Sequence, residues 1–375
     1  MKKSKTLTHL LKGWFGKAAL LTASIAASAL LLEGSIRYYC DNISKSPICS
    51  FPNIEDKFGD RWRYIPGSIV FDFKVNSKGY LDKEFETKKH DDIKKIIALG
   101  DSFGNTMPYN FNYLTLAESS KWEIYNMNIT GTNPTDYLET LVNEGLSYNP
   151  DAILVGFYEG NDFIFYEDKE NKIKLYTPQL FNHFYTLFKI KFEEKSLNID
   201  TSTDYNNSSD IDTIDKCILA TERKKTKTEI KNYWQNQIAS FLINQMDDTL
   251  SSFEYNWEIL DKINKIAKNN NKDIIAVLIP SAYQVEKEVY ETCINMEPKL
   301  LAHDINMDNL HTLLRLYYED EGIPVIDLLP PLREGYKKYG KMYLENDIHW
   351  NCRANQIAGQ EVKNFFEKYF AEHKN

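Results

Sequence analysis

Cysteine is scarce in this sequence: 375 residues hold five, Cys40, Cys49, Cys217, Cys293 and Cys352. None stands at the short spacing of a zinc site, and five scattered thiols are too few to frame a fold by disulfides. Cys40 with Cys49, or Cys217 with Cys293, can pair in an oxidising compartment, and the odd count leaves at least one thiol over. Basic residues are in deficit. With 45 Lys and Arg against 54 Asp and Glu the net charge is -9, which gives nucleic acid no electrostatic footprint to bind. Nor is there an uncharged run of the about 20 apolar residues that cross a bilayer unaided. Apolar material in general is not lacking. At 42% hydrophobic and 13% aromatic residues, the chain can build one large or two ordinary packed domains and is no disordered protein.

The amino end carries Lys2, Lys3, Lys5, Lys12 and Lys17, then residues 18–32 without a charge, closed by Glu33 and Arg37. Positive residues before an apolar stretch describe an export signal or anchor with its amino terminus in the cytoplasm. The stretch reaches spanning length only if Trp14, Phe15 and Ile36 are recruited and Lys17 snorkels. Ala27-Ser28-Ala29 offers a cleavage site, but Leu30-Leu31-Leu32 follows at once, which suits continued membrane embedding better than a mature terminus. The expectation is an uncleaved signal-anchor at 1–40 with the rest of the chain extracytoplasmic. Export after cleavage is the alternative.

Residues 41–90 read as a connector folded on the main domain, punctuated by Pro52, Gly59, Pro66, Gly67 and Gly79, with an edge strand or hairpin arm at 68–75. Strand and helix then alternate. Apolar, β-branched runs at 96–99, 123–129, 152–157, 273–280 and 324–328 read as strands, and amphipathic patterns at 137–146, 257–267, 310–318 and 354–370 as helices. That alternation predicts an α/β fold: a doubly wound, flavodoxin-like parallel sheet of about five strands with helices on both faces. Residues 163–253 interrupt it as an insertion, aromatic and helical at 180–188 and Asn/Ser/Asp-rich at 200–215. A lid and a passive surface excursion are both open readings of it.

The first strand ends at Gly100-Asp101-Ser102-Phe103-Gly104, where ligand sites of open α/β sheets lie. An alcohol nucleophile needs a base, a group to orient the base, and donors for an oxyanion. Three other stretches can supply them. After the second strand, Gly131 can present an unobstructed N–H; after the third, Glu159-Gly160-Asn161-Asp162 offers the Asn161 amide; near the carboxyl end, Asp347-Ile348-His349-Trp350 puts an acid two residues before a histidine. In a sheet of order 2-1-3-4-5 the loops bearing Gly131, Ser102 and Asn161 are neighbours. The route that brings the His349 loop back to them is not given by pattern. By average usage the three motifs coincide by chance in on the order of two chains of this length in a thousand.

At these residues the chain, over about 93–370, resembles the SGNH or GDSL-like hydrolase superfamily. The resemblance implies that Ser102 is the nucleophile, His349 the base and Asp347 its partner, with the Ser102 N–H, the Gly131 N–H and the Asn161 side chain as the oxyanion hole. Many members place the acid three residues before the histidine. That position is Asn346 here, and the Asp-x-His-Trp block is similar instead to polysaccharide O-acetyltransferase-like members. Asp101 and Asp162 are expected to hold their loops by accepting N–H groups. Trp350 is expected either to pack or to stack on a sugar, packing being favoured. His9, His90, His183, His303, His311 and His373 have no such company and read as surface or core residues.

Gly100 to Gly104 also fits a Gly-x-Ser-x-Gly elbow, but the upstream His-Gly loop of that fold is missing. The resulting expectation is a serine esterase acting through an acyl-serine on an O-acylated carbohydrate or cell-envelope polymer. No metal or organic cofactor is implied. An O-acyltransferase using the same triad, and a glycan-binding scaffold without turnover, are the alternatives.

Overall fold

A computed structural model describes, with short gaps, residues 54–162, 214–297 and 306–373, together with parts of 21–38. The chain divides into two compact units, Met1–Ile54 with Asp168–Thr203, and Glu55–Glu167 with Asp204–Asn375. The described residues between 21 and 38 are helical. Among the described residues no helix is long and apolar enough to cross a membrane. Every functional residue expected from the sequence lies in the second unit.

That unit is built on five parallel strands: β1 (Lys94–Leu99), β2 (Trp122–Asn126), β3 (Ala152–Tyr158), β4 (Asp273–Ile279) and β5 (Val325–Asp327). Their order across the sheet is β2-β1-β3-β4-β5, the expected 2-1-3-4-5. β3 is buried at all seven positions, as a central strand covered on both faces requires. Successive residues serve opposite faces. Ile96, Ala98, Leu154, Val277 and Ile279 pack into one core, whereas Ile97, Leu99, Ile153, Val155 and Leu278 pack into the other. Each fully buried Ile or Leu removes apolar surface worth about 1.5–3 kcal/mol.

Among the described residues, helices of the second unit include α1 (Tyr113–Ala117), α2 (Pro134–Asn143), α3 (Lys227–Gln245), α4 (Thr249–Asn269), α5 (Ala282–Val285), α6 (Lys287–Met296), α7 (Asn309–Asp320), α8 (Leu329–Tyr339) and α9 (Cys352–Glu372). α2, α4 and α7 contribute Tyr137, Leu141, Ile259, Ile263, Leu310 and Leu314 to one face; α1, α5, α8 and α9 contribute Tyr113, Ala282, Leu332 and Val362 to the other. α2 begins with an Asn133 cap, Pro134 in its first turn and a reciprocal bond from the Asn133 N–H to Asp136. The hairpin arm expected at 68–75 is a two-residue pairing of Ile69–Val70 with Phe73–Lys74.

One expectation needs correction, the pairing of Cys217. Within the expected insertion, α3 occupies 227–245 and the first turn of α4 249–253, and Phe241 of α3 is fully buried against Tyr283. The buried positions of α3, Tyr233, Gln237, Ser240 and Phe241, lie on one helix face, but two of them are polar, so apolar periodicity does not reveal the helix. The body of the insertion, 163–213, lies outside the described residues, as do Cys40, Cys49, His9, His90, His183 and His303. Cys217 bonds not to Cys293 but to Cys352, with Cα atoms 6.2 Å apart. Cys293 is a buried free thiol whose pKa burial pushes up to about 12. Trp350 packs rather than stacks: it is fully buried, edge-on to Phe103 and Tyr113 at centroid distances of 5.0 and 5.7 Å, so its ring has no face to offer a sugar.

Candidate active site

Ser102 opens a short 3-10 turn, Ser102–Asn105, directly after β1. Asp101 caps that turn by accepting the Phe103 N–H at 3.0 Å. The turn is packed onto buried asparagines of the β2 loop. A Cβ on Gly100 would stand 2.2 Å from Asn128 Oδ1, and one on Gly104 2.2 Å from Asn128 Cγ, so neither position admits a side chain. Asn126 Nδ2 donates to the Gly104 carbonyl at 2.6 Å, Asn105 Nδ2 to the Asn128 carbonyl at 3.0 Å, and Asn112 Nδ2 to the Gly104 carbonyl at 2.7 Å. Buried amides can be kept only when partnered, and here their partners are backbone carbonyls of the Ser102 turn and of the loop after β2.

The His349 loop returns to this turn along a specific route. After α8, the buried Glu286 Oε1 accepts the N–H groups of Met342 (2.7 Å) and Tyr343 (2.8 Å), and Tyr343 Oη donates to the Pro280 carbonyl beyond β4. Asn351 then caps α9 by accepting the Ala354 N–H. On the first turn of α9, Asn355 Oδ1 accepts from Thr106 Oγ1 at 2.9 Å and from the Tyr113 N–H, tying the helix to the segment after Ser102. These contacts bring together residues 247 positions apart in sequence: His349 Nε2 lies 2.7 Å from Ser102 Oγ. Asp347 Oδ1 lies 2.6 Å from His349 Nδ1 and accepts the His349 N–H as well.

Asn346, the position where many members of the resembled family carry the acid, adopts a left-handed φ of 51° and donates to Glu345. It turns the chain and leaves His349 to its neighbour. Asn tolerates that conformation better than most residues. Burial alone would raise the Asp347 carboxyl, but the hydrogen bond and charge of His349, and the Lys225 ammonium, hold it well below the usual carboxylate range.

The flanking loops sit where the sheet order puts them. Gly131 has a φ of 79°, open to glycine, in a loop held to β1 by Ile129 N–H and Thr132 Oγ1, which both donate to the Gly100 carbonyl. On the other side, Asp162 Oδ2 accepts the Tyr158 N–H and Oδ1 accepts from Tyr137 Oη, closing the loop that carries Asn161. Burial raises the pKa of Asp101, against the opposing pull of the Phe103 N–H, His349 and the Asn161 side chain. Burial, then the proximity of Asp101, pushes Asp162 well above the ordinary carboxylate value. Through the bonds they accept, both acids clamp their loops.

Two features had no clear signal in the sequence. Lys225 Nζ pairs with Asp347 Oδ2. His311, read as surface or core, is buried between two acids: Nδ1 lies 2.5 Å from Glu159 Oε1 and Nε2 3.1 Å from Asp327 Oδ1. Burial opposes its charge, but the bonds to Asp327 and Glu159 outweigh it and push the imidazole up to about 10. Glu159 opens the loop bearing Asn161, so this buried cation braces one wall of the site.

Chemically the arrangement is a hydroxyl, a base bonded to it and a carboxylate fixing the base's tautomer, set at the carboxyl end of a parallel sheet. No family model and no curated protein matches the chain in sequence. Many of the solved structures that match it are G-D-S-L lipolytic proteins. One from Veillonella parvula DSM 2008 is 11% identical, covers 73% of this chain and 99% of its own, and has a TM-score of 0.35. A GDSL-like lipase from Bacteroides thetaiotaomicron VPI-5482 is 10% identical, with 74% and 89% covered and a TM-score of 0.35. An acetyl xylan esterase is 12% identical, with 72% and 98% covered and a TM-score of 0.37. The functional case rests on the residues themselves.

Proposed function

We propose that the chain is an SGNH-type serine esterase. The observation that carries the proposal is the continuous Ser102–His349–Asp347 relay, with contacts of 2.7 and 2.6 Å. In it, Ser102 Oγ attacks the ester carbonyl carbon while its proton passes to His349 Nε2. We assign the oxyanion that forms to the N–H groups of Ser102 and Gly131 and to the Asn161 amide, the donors that the family resemblance implies. Collapse breaks the ester C–O bond, and the alcohol leaves with the proton from His349. Water, deprotonated by the same imidazole, then attacks the acyl-Ser102 and frees the acid.

The substrate class we assign is an O-acylated carbohydrate of the cell envelope. Its support is the Asp347-Ile348-His349-Trp350 block, similar to that of polysaccharide O-acetyltransferase-like proteins, together with two features that favour a site outside the cytoplasm. The amino end has the charge pattern of a signal-anchor, and Cys217 is bonded to Cys352, a bond that persists in oxidising compartments.

The test is turnover of short-chain acyl esters and acetylated oligosaccharides by the wild type, Ser102→Ala, His349→Ala and the double variant. Each single variant should lose nearly all turnover and the double variant hardly more, since such residues act as a unit. Near-normal turnover by Ser102→Ala contradicts the proposal.

A further inference from the structure

Asp347 has two carboxylate oxygens, and only one faces the histidine. Oδ1 accepts both bonds from His349, while Oδ2 is held by Lys225, which arrives from a distant part of the chain. The lysine side chain is only 11% exposed. Eight residues before it, Cys217 is bonded to Cys352, itself three residues past His349. Cys217, Cys352, Ile214 and Phe111 form a small buried cluster of their own. The segment that brings Lys225 is therefore fastened, covalently and by apolar burial, to the same stretch of chain that carries the base.

We propose that Lys225 is a positioning residue of the catalytic relay, fixing the Asp347 carboxylate through Oδ2 so that Oδ1 stays aligned with His349 Nδ1. The inference rests on the serine-esterase reading of Ser102 and His349. A carboxylate bound at one oxygen can rotate about its Cβ–Cγ bond, and a second bond at the other oxygen stops it.

Among the described residues, the charged and titratable groups facing this trio are few. Asp101 and Ser102 face His349 from the nucleophile turn, Tyr233 of α3 faces Asp347, and Glu345 on the same loop is paired with Lys341. All of them remain in Lys225→Met and Lys225→Arg, so a difference between those variants reads the lysine's charge and bond.

The experiment measures kcat and KM for 4-nitrophenyl acetate, and the rate of fluorophosphonate labelling, for the full chain and both variants. Lys225→Met should lower kcat and the labelling rate on the order of tenfold with KM within about twofold. Lys225→Arg should restore most of both, because a guanidinium supplies the same charge and donors. A Lys225→Met protein with wild-type kcat and labelling rate overturns the positioning role while leaving the esterase reading intact. A loss of kcat that Lys225→Arg does not rescue, or that comes with a comparable change in KM, marks a merely structural residue and overturns it too. Wild-type protein in which Ser102 takes up no label overturns both.

Discussion

Asp347 holds His349 from two residues upstream, one carboxylate oxygen accepting both the backbone N–H at 3.1 Å and the ring Nδ1 at 2.6 Å. Such a short loop is self-contained: backbone and side chain of the base are fixed by one group. Asp347→Asn keeps the shape but offers the ring an amide, so the wrong tautomer is favoured and kcat should fall on the order of 10³–10⁴-fold. Asn346→Ala should cost about 1 kcal/mol of stability, from its left-handed φ of 51°, with turnover within a few-fold of wild type. Steady-state kinetics with urea unfolding checks both, and the reverse ranking of the two variants moves the acid role off Asp347.

His311 makes stability depend on pH at the alkaline side. Its pKa is raised to about 10 in the folded chain, from about 6.5 unfolded, so the contribution is fully present below pH 6.5 and is lost as pH rises through 10. The expected loss is on the order of a few kcal/mol, since the side chain is only 7% exposed and little screened. Melting temperatures at pH 6 and pH 9.5 measure it. The wild type should lose several degrees between them, and His311→Gln should start lower at pH 6 and show a flatter profile. Parallel profiles for the two proteins would contradict the buried ion triad.

The Cys217–Cys352 bond closes a sequence separation of 135 residues. In the chain-entropy account such a loop is worth about 4–5 kcal/mol of stability. Dithiothreitol, or Cys217→Ser with Cys352→Ser, should therefore lower the melting temperature by several degrees, with Cys293→Ala leaving it sensitive to reductant. An unchanged melting temperature after thiol counting confirms full reduction would refute the bond's structural role.

How far the sequence revealed this depends on the range over which each feature is determined. The sheet order and the strand ends were legible because runs such as Ile96 to Leu99 are buried on both faces and stop at a glycine, a local signal. The pairing of Asp347 with His349 was legible for the same reason, being two residues apart. The approach of His349 to Ser102 was implied only by family resemblance, since it depends on Glu286, Asn355 and the Asn126 and Asn128 amides, none of which has a motif. Lys225 and the partner of Cys217 were out of reach. A salt bridge or disulfide across more than a hundred residues leaves no trace in periodicity, and five cysteines allow several pairings. The burial of Trp350 was favoured but open, because a tryptophan beside a base reads alike whether it packs or stacks.

The central claim is that Ser102 is a nucleophile activated by His349, and its most direct test is covalent. The full chain is treated with a fluorophosphonate at neutral pH and digested, and the modified peptide is sequenced by mass spectrometry. One label per chain is expected, on Ser102, abolished in Ser102→Ala and slowed on the order of a hundredfold or more in His349→Ala. Label on another residue, or equal labelling of the wild type and Ser102→Ala, would contradict it.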